Sequence, residues 1–450
     1  MNHPNILYIH SHDTGRYTQP YGHAVHTPNI QRLAEEGVLF RQAFSVASMC
    51  TPSRVGLLTG QFPHNSGLVG LAHRGFSMTD YNQHIVHTLR NAGYHSALFG
   101  VQHIAPSVED IGYDVAQVQD SRPPEVPPEE THFLNHAPRA EDIVIATVNF
   151  LNNAPDKPFF LSVGFFETHR EFPPSEAPED PKYCLVPPVL PDTPKTRQDM
   201  AGFKASARVL DVSIGQVLDA LAANGLAENT LVICTTDHGL PMPGMKCTLT
   251  DHGIGVSLIM RGPNGFSGGR VCEAMVSQLD LFPTICELLE IDPPAWLQGK
   301  SILPLIRQDV EEINEEIFAE INYHAAYEPQ RAVRTKRYKY IRRFDGRDRP
   351  VASNIEDGLS KDIWLENGWQ DRPIPTEQLY DLVFDSNESN NLVNDSSIAG
   401  ILQEMRSRLD NWMKATNDPL LHGPIVAPAG AQFNDPDGLS PYEPTLVQPA

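Results

Sequence analysis

Asn5-Ile6-Leu7-Tyr8-Ile9 is an unbroken apolar run, and it leads straight into the polar cluster His10-Ser11-His12-Asp13. Leu231-Val232-Ile233-Cys234-Thr235-Thr236 repeats the arrangement and ends in Asp237-His238-Gly239. A strand covered on one face alternates apolar and polar residues, whereas one covered on both faces reads as a continuous apolar segment. Further runs of this kind lie at 95–100, 159–166 and 256–260. Helical patterns fall between them, near 29–37, 83–92, 141–153, 198–224 and 280–290. Thr27-Pro28 makes a good helix entry, and Gly93 and Gly225 make good helix ends. The alternation predicts an α/β fold: a large, mostly parallel sheet sandwiched by helices. Ligands in such folds gather beyond the carboxyl ends of the strands, where the two polar clusters fall.

The texture changes near residue 310. Shorter, more charged strand patterns follow at 316–323, 331–336, 338–344 and 378–383. A helix at 397–415 carries Ile398, Ile401, Leu402, Met405, Leu409 and Met413 at helical spacing. The organisation expected is therefore a first domain over 1–310 and a smaller α+β C-terminal domain over 311–417, built on an antiparallel sheet. Residues 418–450 form a tail rich in Pro and Gly that wraps a neighbour or is disordered. Its apolar Pro424-Ile425-Val426-Ala427-Pro428 suits packing across a subunit boundary in a homo-oligomer, or on its own domain.

The chain has 450 residues and a formal net charge of −22, which argues against nucleic acid or an anionic membrane surface as partner. An anionic substrate would need local positive groups to overcome that field. No apolar run of about 18 residues and no signal-peptide pattern is present, so the chain reads as cytoplasmic, or as periplasmic or lysosomal if a targeting segment was removed. The six cysteines show neither zinc spacing nor a dense disulfide pattern, and reduced thiols are expected.

Cys50-Thr51-Pro52-Ser53-Arg54 carries the chemistry. Pro52 fits a first helical position, and Ser53 to Leu58 continues as helix. Cys50 would then sit at the positive end of a helix dipole beside a guanidinium, an anion-binding environment that lowers a thiol pKa.

This stretch resembles the C-x-P-S-R signature of the formylglycine-dependent (type I) sulfatases of the alkaline phosphatase superfamily. The resemblance runs from Asn5 through Thr59-Gly60, Gly93-Tyr94-His95, Leu379-Tyr380-Asp381-Leu382 and Asn391-Leu392, and it is nearest the heparan N-sulfatase (sulfamidase) branch. It implies an alkaline phosphatase-like fold and oxidation of Cys50 to formylglycine by a formylglycine-generating enzyme. The hydrated aldehyde would attack sulfur, and the sulfated hemiacetal would then collapse to expel sulfate. By family position one divalent metal is held by His12, Asp13, the modified Cys50, Asp237 and His238. Arg54 and Lys246 clamp the nucleophile and the sulfate, while His103 and His169 bind the sulfate and protonate the leaving atom. His64, His73, Arg74, Glu320 and His324 complete the substrate pocket.

Two departures from the family pattern bear on function. His12 and His238 stand where most sulfatases carry an aspartate and an asparagine, and imidazole favours manganese or zinc over the family's calcium. Gly100-Val101-Gln102-His103 puts Val101 where the family has a sulfate-binding lysine, so Gln102 or a nearby base must compensate, or the substrate differs. The leading expectation is a sulfatase acting on a sulfate ester or sulfamate of a small anionic saccharide, such as an N-sulfated glucosamine. A phosphonate monoester or phosphodiester hydrolase of the same superfamily is the alternative. A non-catalytic binding protein would predict damage at Cys50, Arg54, Asp13 or Asp237, and all four are present.

Overall fold

The central strand of the main sheet, β1 (Asn5–Ser11), is buried throughout because its two faces feed two separate cores. Ile6 and Tyr8 point into one cluster, and Leu7 and Ile9 into the other. The computed structural model describes residues 3–117, 139–173 and 179–449. The remaining strands of this sheet are β2 (Val38–Phe44), β3 (His95–Gly100), β4 (Val115–Gln117), β5 (Phe159–Gly164), β6 (Thr230–Thr236), β7 (Gly255–Val256), β8 (Leu258–Arg261) and β9 (Arg270–Ser277). Their order is β4-β3-β5-β1-β6-β8-β2-β7, with β9 paired to β2. In register, Leu7 of β1 lies between Leu161 of β5 and Val232 of β6.

From β4 to β6 the sheet is parallel, as the apolar runs predict. Beyond β6 it is mixed: β8 is antiparallel to both β6 and β2. Sequence reading missed β2 and β9. Arg41-Gln42 interrupts the first, and Arg270 to Glu273 of the second alternates at the surface, so neither reads as a buried run.

One face of the sheet is covered by the helices Pro28–Glu36, Ala140–Asn152 and Pro194–Ala223. The last starts earlier than expected. Pro194 sits at its entry, and Thr193 and Thr196 form a reciprocal cap there. The opposite face is covered by Cys50–Thr59, Ile85–Asn91 and Leu281–Leu288.

A second, antiparallel sheet runs β10 (Glu316–Tyr323), β11 (Tyr327–Thr335), β12 (Tyr338–Arg343) and β13 (Glu377–Asp381), with the helix Ala399–Ala415 against it. Glu320 N donates to Val46 O, which joins this sheet to the segment just ahead of Cys50. The tail is neither disordered nor detached. Ala427, Ala431 and Asn434 are buried on their own chain, and Gln432–Phe433 pairs with Leu446–Val447 in a small ribbon. Among the described residues no helix is long and apolar enough to cross a membrane.

Candidate active site

Two strand ends are stitched together at their carboxyl sides. Asp13 N donates to Asp237 Oδ1 at 2.9 Å, Thr14 N to Thr236 Oγ1 at 3.2 Å and Gly15 N to His238 O at 2.8 Å. The polar clusters after β1 and β6 thus meet as one buried group. Asp13 has φ 52° and His103 has φ 58°, left-handed conformations costing about 1–3 kcal/mol each for a side-chain-bearing residue. Surrounding contacts hold them there. Gly239 is required for close approach, since a Cβ at that position would lie 1.9 Å from His252 O.

The helix Cys50–Thr59 enters against this group, and every one of its residues is buried. Its hydroxyls tie the site together. Thr51 Oγ1 donates to His103 O at 2.7 Å, and Ser53 Oγ to Asp237 O at 2.5 Å. Gln278 Nε2 donates to Thr236 O at 2.7 Å behind them. The helix begins at Cys50 itself rather than at Pro52.

The thiol departs from expectation. Burial pushes Cys50 well above the ordinary thiol range; Lys246 opposes this, while Asp13, Asp237 and Glu356 reinforce it. Arg54 does not sit against the sulfur as its main partner. Its Nη2 donates to Ser11 O and to Asp237 Oδ2, both at 2.9 Å, and its Nη1 meets His10 Nδ1. Burial alone would raise the Asp237 carboxyl, but His238, Arg54 and the Asp13 N–H hold it below the usual carboxylate range.

Lys246 is fully buried, not a loop lysine in solvent. Its Nζ donates to Asp13 Oδ2 at 3.2 Å and to Glu356 Oε1. Burial works against its charge, yet Asp13, Cys50 and Glu356 raise it well above the ordinary lysine range. Glu356 stays ionised in return, chiefly because Lys246 outweighs its own burial. Sequence reading missed Glu356, which lies in an unpatterned stretch after Asn354-Ile355, and it placed His10 in the polar cluster without its contact to Arg54.

Burial holds His103, His169 and His324 below the ordinary imidazole range. His169 Nδ1 donates to Arg170 O at 2.7 Å, which leaves Nε2 facing Glu356 Oε1 at 3.6 Å and Asp13 Oδ2 at 3.8 Å. Burial, with Lys246, lowers His169 to about 4. His103 stacks on His73, with Nε2 to Nδ1 at 3.1 Å, and burial lowers it strongly as well. His324 is buried within reach of Lys246 and Glu356.

The other residues expected in the pocket have partners within the protein. His64 and Glu320 bond to each other rather than to the cluster around Cys50, beneath Phe62 and Trp412. Arg74 bonds Ala325 O, Asn434 Oδ1 and Pro441 O, which fixes the tail. Gln102 does not replace the missing lysine charge. Its amide is spent on Ile104 N, Ala105 N and Ala105 O of its own loop.

A cation fits the donor set. Ligand atoms of His12, Asp13, Cys50 and Asp237 all lie within 4.8 Å of one another. Both His12 ring nitrogens and Asp13 Oδ1 are buried without a hydrogen-bond partner, which is costly for groups of this polarity. His238 Nδ1 donates to Gly239 O at 3.0 Å, so Nε2 presents a lone pair 3.1 Å from Asp13 Oδ1. Burial, only partly offset by Asp237, lowers His238 to about 4. Burial also pushes Asp13 up, a cost that a bound divalent ion removes. Three carboxylates (Asp13, Asp237, Glu356) face two cationic side chains (Arg54, Lys246), and a divalent ion would turn this core from one net negative charge to one net positive charge.

The sulfatase family model matches residues 4–291, and the N-sulphoglucosamine sulphohydrolase C-terminal model matches residues 245–350. The chain belongs to the sulfatase family. As a sulfatase it is a sulfuric ester or sulfamate hydrolase, and the family implies a metal ion and a formylglycine at the signature cysteine. Human N-sulphoglucosamine sulphohydrolase is 28% identical over 473 aligned residues, covering 93% of this sulfatase and 92% of the human protein. A structure of BT4656 with its substrate D-glucosamine-2-N,6-O-disulfate superposes with TM-score 0.71 at 18% identity, covering 97% of this chain and 99% of that one. The phosphonate monoester hydrolase of Agrobacterium radiobacter superposes with TM-score 0.67 at 20% identity, covering 92% and 96%. At these identities the two superpositions establish a shared fold, and it is the alkaline phosphatase-like fold expected.

Proposed function

We propose that this sulfatase removes sulfate from a sulfated saccharide of the N-sulfoglucosamine class, using Cys50 after its conversion to formylglycine. The observation that carries the reading is the placement of Lys246. It lies within the stretch matching the N-sulphoglucosamine sulphohydrolase C-terminal model, and it reaches Asp13 at the same site as Cys50.

His12, Asp13 and Asp237 would hold one divalent ion together with the residue at position 50, with His238 Nε2 beside them. When bound, that ion supplies Lewis-acid polarisation. We assign manganese or zinc rather than calcium, because imidazole nitrogen is a poor calcium ligand. Arg54, pinned by Ser11 O and Asp237, fixes the nucleophile's surroundings, and Lys246 stabilises negative charge on the transferring group. His169 Nε2 is the atom that holds a proton for the leaving nitrogen or oxygen. The sulfate anion beside it raises the proton affinity that burial lowers.

The phosphonate alternative draws support from the histidine-containing metal set and from Val101. Neither feature outweighs the C-terminal match.

The test is co-expression with a formylglycine-generating enzyme, followed by the mass of the Cys50 peptide and ion chromatography of products. A loss of about 18 Da at Cys50 with sulfate release from N-sulfoglucosamine is expected. An unmodified thiol with faster turnover of an aryl phosphonate ester would replace this reading with the alternative.

A further inference from the structure

The carbonyl that accepts from His169 Nδ1 belongs to Arg170, and the Arg170 side chain is buried beside the same site. Its guanidinium is committed in three directions. Nε donates to Pro241 O at 2.9 Å, on the loop that runs from His238 to Lys246. Nη1 and Nη2 donate to Asp199 Oδ1 and Oδ2 at 2.7 and 2.6 Å, a bidentate pair with the helix Pro194–Ala223. Asp199 Oδ2 also accepts from Ser360 N at 3.1 Å, just beyond Glu356. Gly358, between those two, passes so close that a Cβ there would lie 2.4 Å from Arg170 Nη1. Its φ of 163° is extended backbone open to any residue, so the guanidinium alone requires glycine.

One buried pair thus ties together the segments that carry His169, Lys246 and Glu356. Such a pair gains little stability over apolar residues of the same volume, because desolvation offsets its attraction. What it supplies is geometry, since a planar fork meets a carboxylate in a fixed orientation. We propose that Arg170 and Asp199 are positioning residues that aim His169 Nε2 at the leaving atom and hold Glu356 against Lys246. As the S–N or S–O bond breaks, its electron pair stays on the leaving atom, which takes the proton from His169 Nε2. The imidazole is left neutral with its remaining proton on Nδ1, the tautomer that Arg170 O accepts.

This inference rests on the role given to His169 above, and the experiment separates the two. Formylglycine-bearing enzyme is assayed on 4-nitrophenyl sulfate, whose leaving group departs without a proton, and on phenyl sulfate, whose more basic leaving group gains from one. The readout is the phenyl-to-nitrophenyl ratio of kcat/KM. A merely structural role changes the fraction of folded enzyme, scales both substrates equally and leaves the ratio alone. Asp199→Asn is expected to lower the ratio about tenfold, part of what a positioned acid contributes. Gly358→Ala keeps both charges and displaces the guanidinium, and it is expected to act in the same direction. So is Arg170→Met with Asp199→Leu, which strands no charge and should melt near the wild type. On N-sulfoglucosamine, kcat per folded molecule should fall about a hundredfold in these variants with KM little changed. A ratio and a saccharide kcat unchanged in both Gly358→Ala and the double variant overturn the proposal while leaving the sulfatase reading intact. Wild-type enzyme inert on both esters and on N-sulfoglucosamine overturns the reading, and the proposal with it.

Discussion

His238 Nε2 faces Asp13 Oδ1 at 3.1 Å, an imidazole nitrogen against a carboxylate oxygen. A proton or a metal ion would join these two atoms, and the two unpartnered His12 ring nitrogens in the same group favour a metal. A divalent ion is therefore expected to stabilise the fold, by about 2.7 kcal/mol at a hundredfold excess over its Kd. Thermal melts across manganese, zinc and calcium would read this out, with chelation reversing it. Asp13→Asn or Asp237→Asn should abolish the metal-dependent shift. A melt indifferent to all three ions would exclude the cation site.

Lys246 sits between Asp13 and Glu356 with no exposure to solvent. Lys246→Met leaves two carboxylates buried without their cation, expected to cost about 3–5 kcal/mol in urea unfolding. Replacing both partners, as Lys246→Met with Glu356→Leu, should recover part of that loss because the residues are coupled. Activity should fall at least about a hundredfold in either protein, as for removal of one charge-stabilising donor. Additive losses in the double variant would mean that the pair is not coupled.

His84 gives the acid limb of stability. It is fully buried, and its Nδ1 accepts from Val86 N at the entry of the helix Ile85–Asn91. Burial lowers it to about 3, so the unfolded chain binds a proton at His84 from about pH 6.5 downward while the folded chain does not. Its contribution is thus intact above pH 6.5 and is lost as the pH falls toward 3. His84→Asn keeps a capping acceptor without the titration. Between pH 7.5 and pH 5 the wild type should lose about 2 kcal/mol more than this variant. Parallel losses would show that His84 is protonated in the fold.

Among the six free cysteines, five are buried and Cys272 is partly exposed. Iodoacetamide at pH 8 should therefore label Cys272 first in the folded, unmodified chain. Cys50, whose thiol burial holds in the neutral form, should react only on unfolding. Peptide mapping by mass spectrometry gives the order, and early labelling of Cys50 would contradict its burial.

What sequence could reveal follows from where the information lies. β1, β5 and β6 were legible because burial on both faces leaves an uninterrupted apolar run, and their carboxyl ends marked Asp13 and Asp237. β2 and β9 were not, since half-exposed strands carry Arg41, Gln42 and Glu273 among their apolar residues. In the site, Cys50, Arg54, His103, His169 and Lys246 stood in motifs and do converge. Glu356 stood in none, because its role is created by a contact across 110 residues of chain. The thiol was misread for a related reason. A helix N-terminus and a basic neighbour are visible in sequence, but the complete burial that outweighs them is not. His64 and Glu320 show the converse, polar residues near the motifs by position that bond to each other, with Asn322 Nδ2 also donating to Glu320.

The burial of every residue from Cys50 to Thr59 sets an order of events in the life of the chain. Conversion of Cys50 to formylglycine, as proposed, needs the sulfur within reach of an oxidising enzyme. Once the helix has docked on its face of the sheet, at the ends of β1 and β6, that sulfur is buried. On the proposed reading maturation would run ahead of folding, and the yield of competent enzyme would become a race between two clocks rather than an equilibrium. A variant that folds faster would leave a larger share of its molecules permanently unequipped, so for this protein stability and activity can be gained at each other's expense before the chain has ever met its substrate.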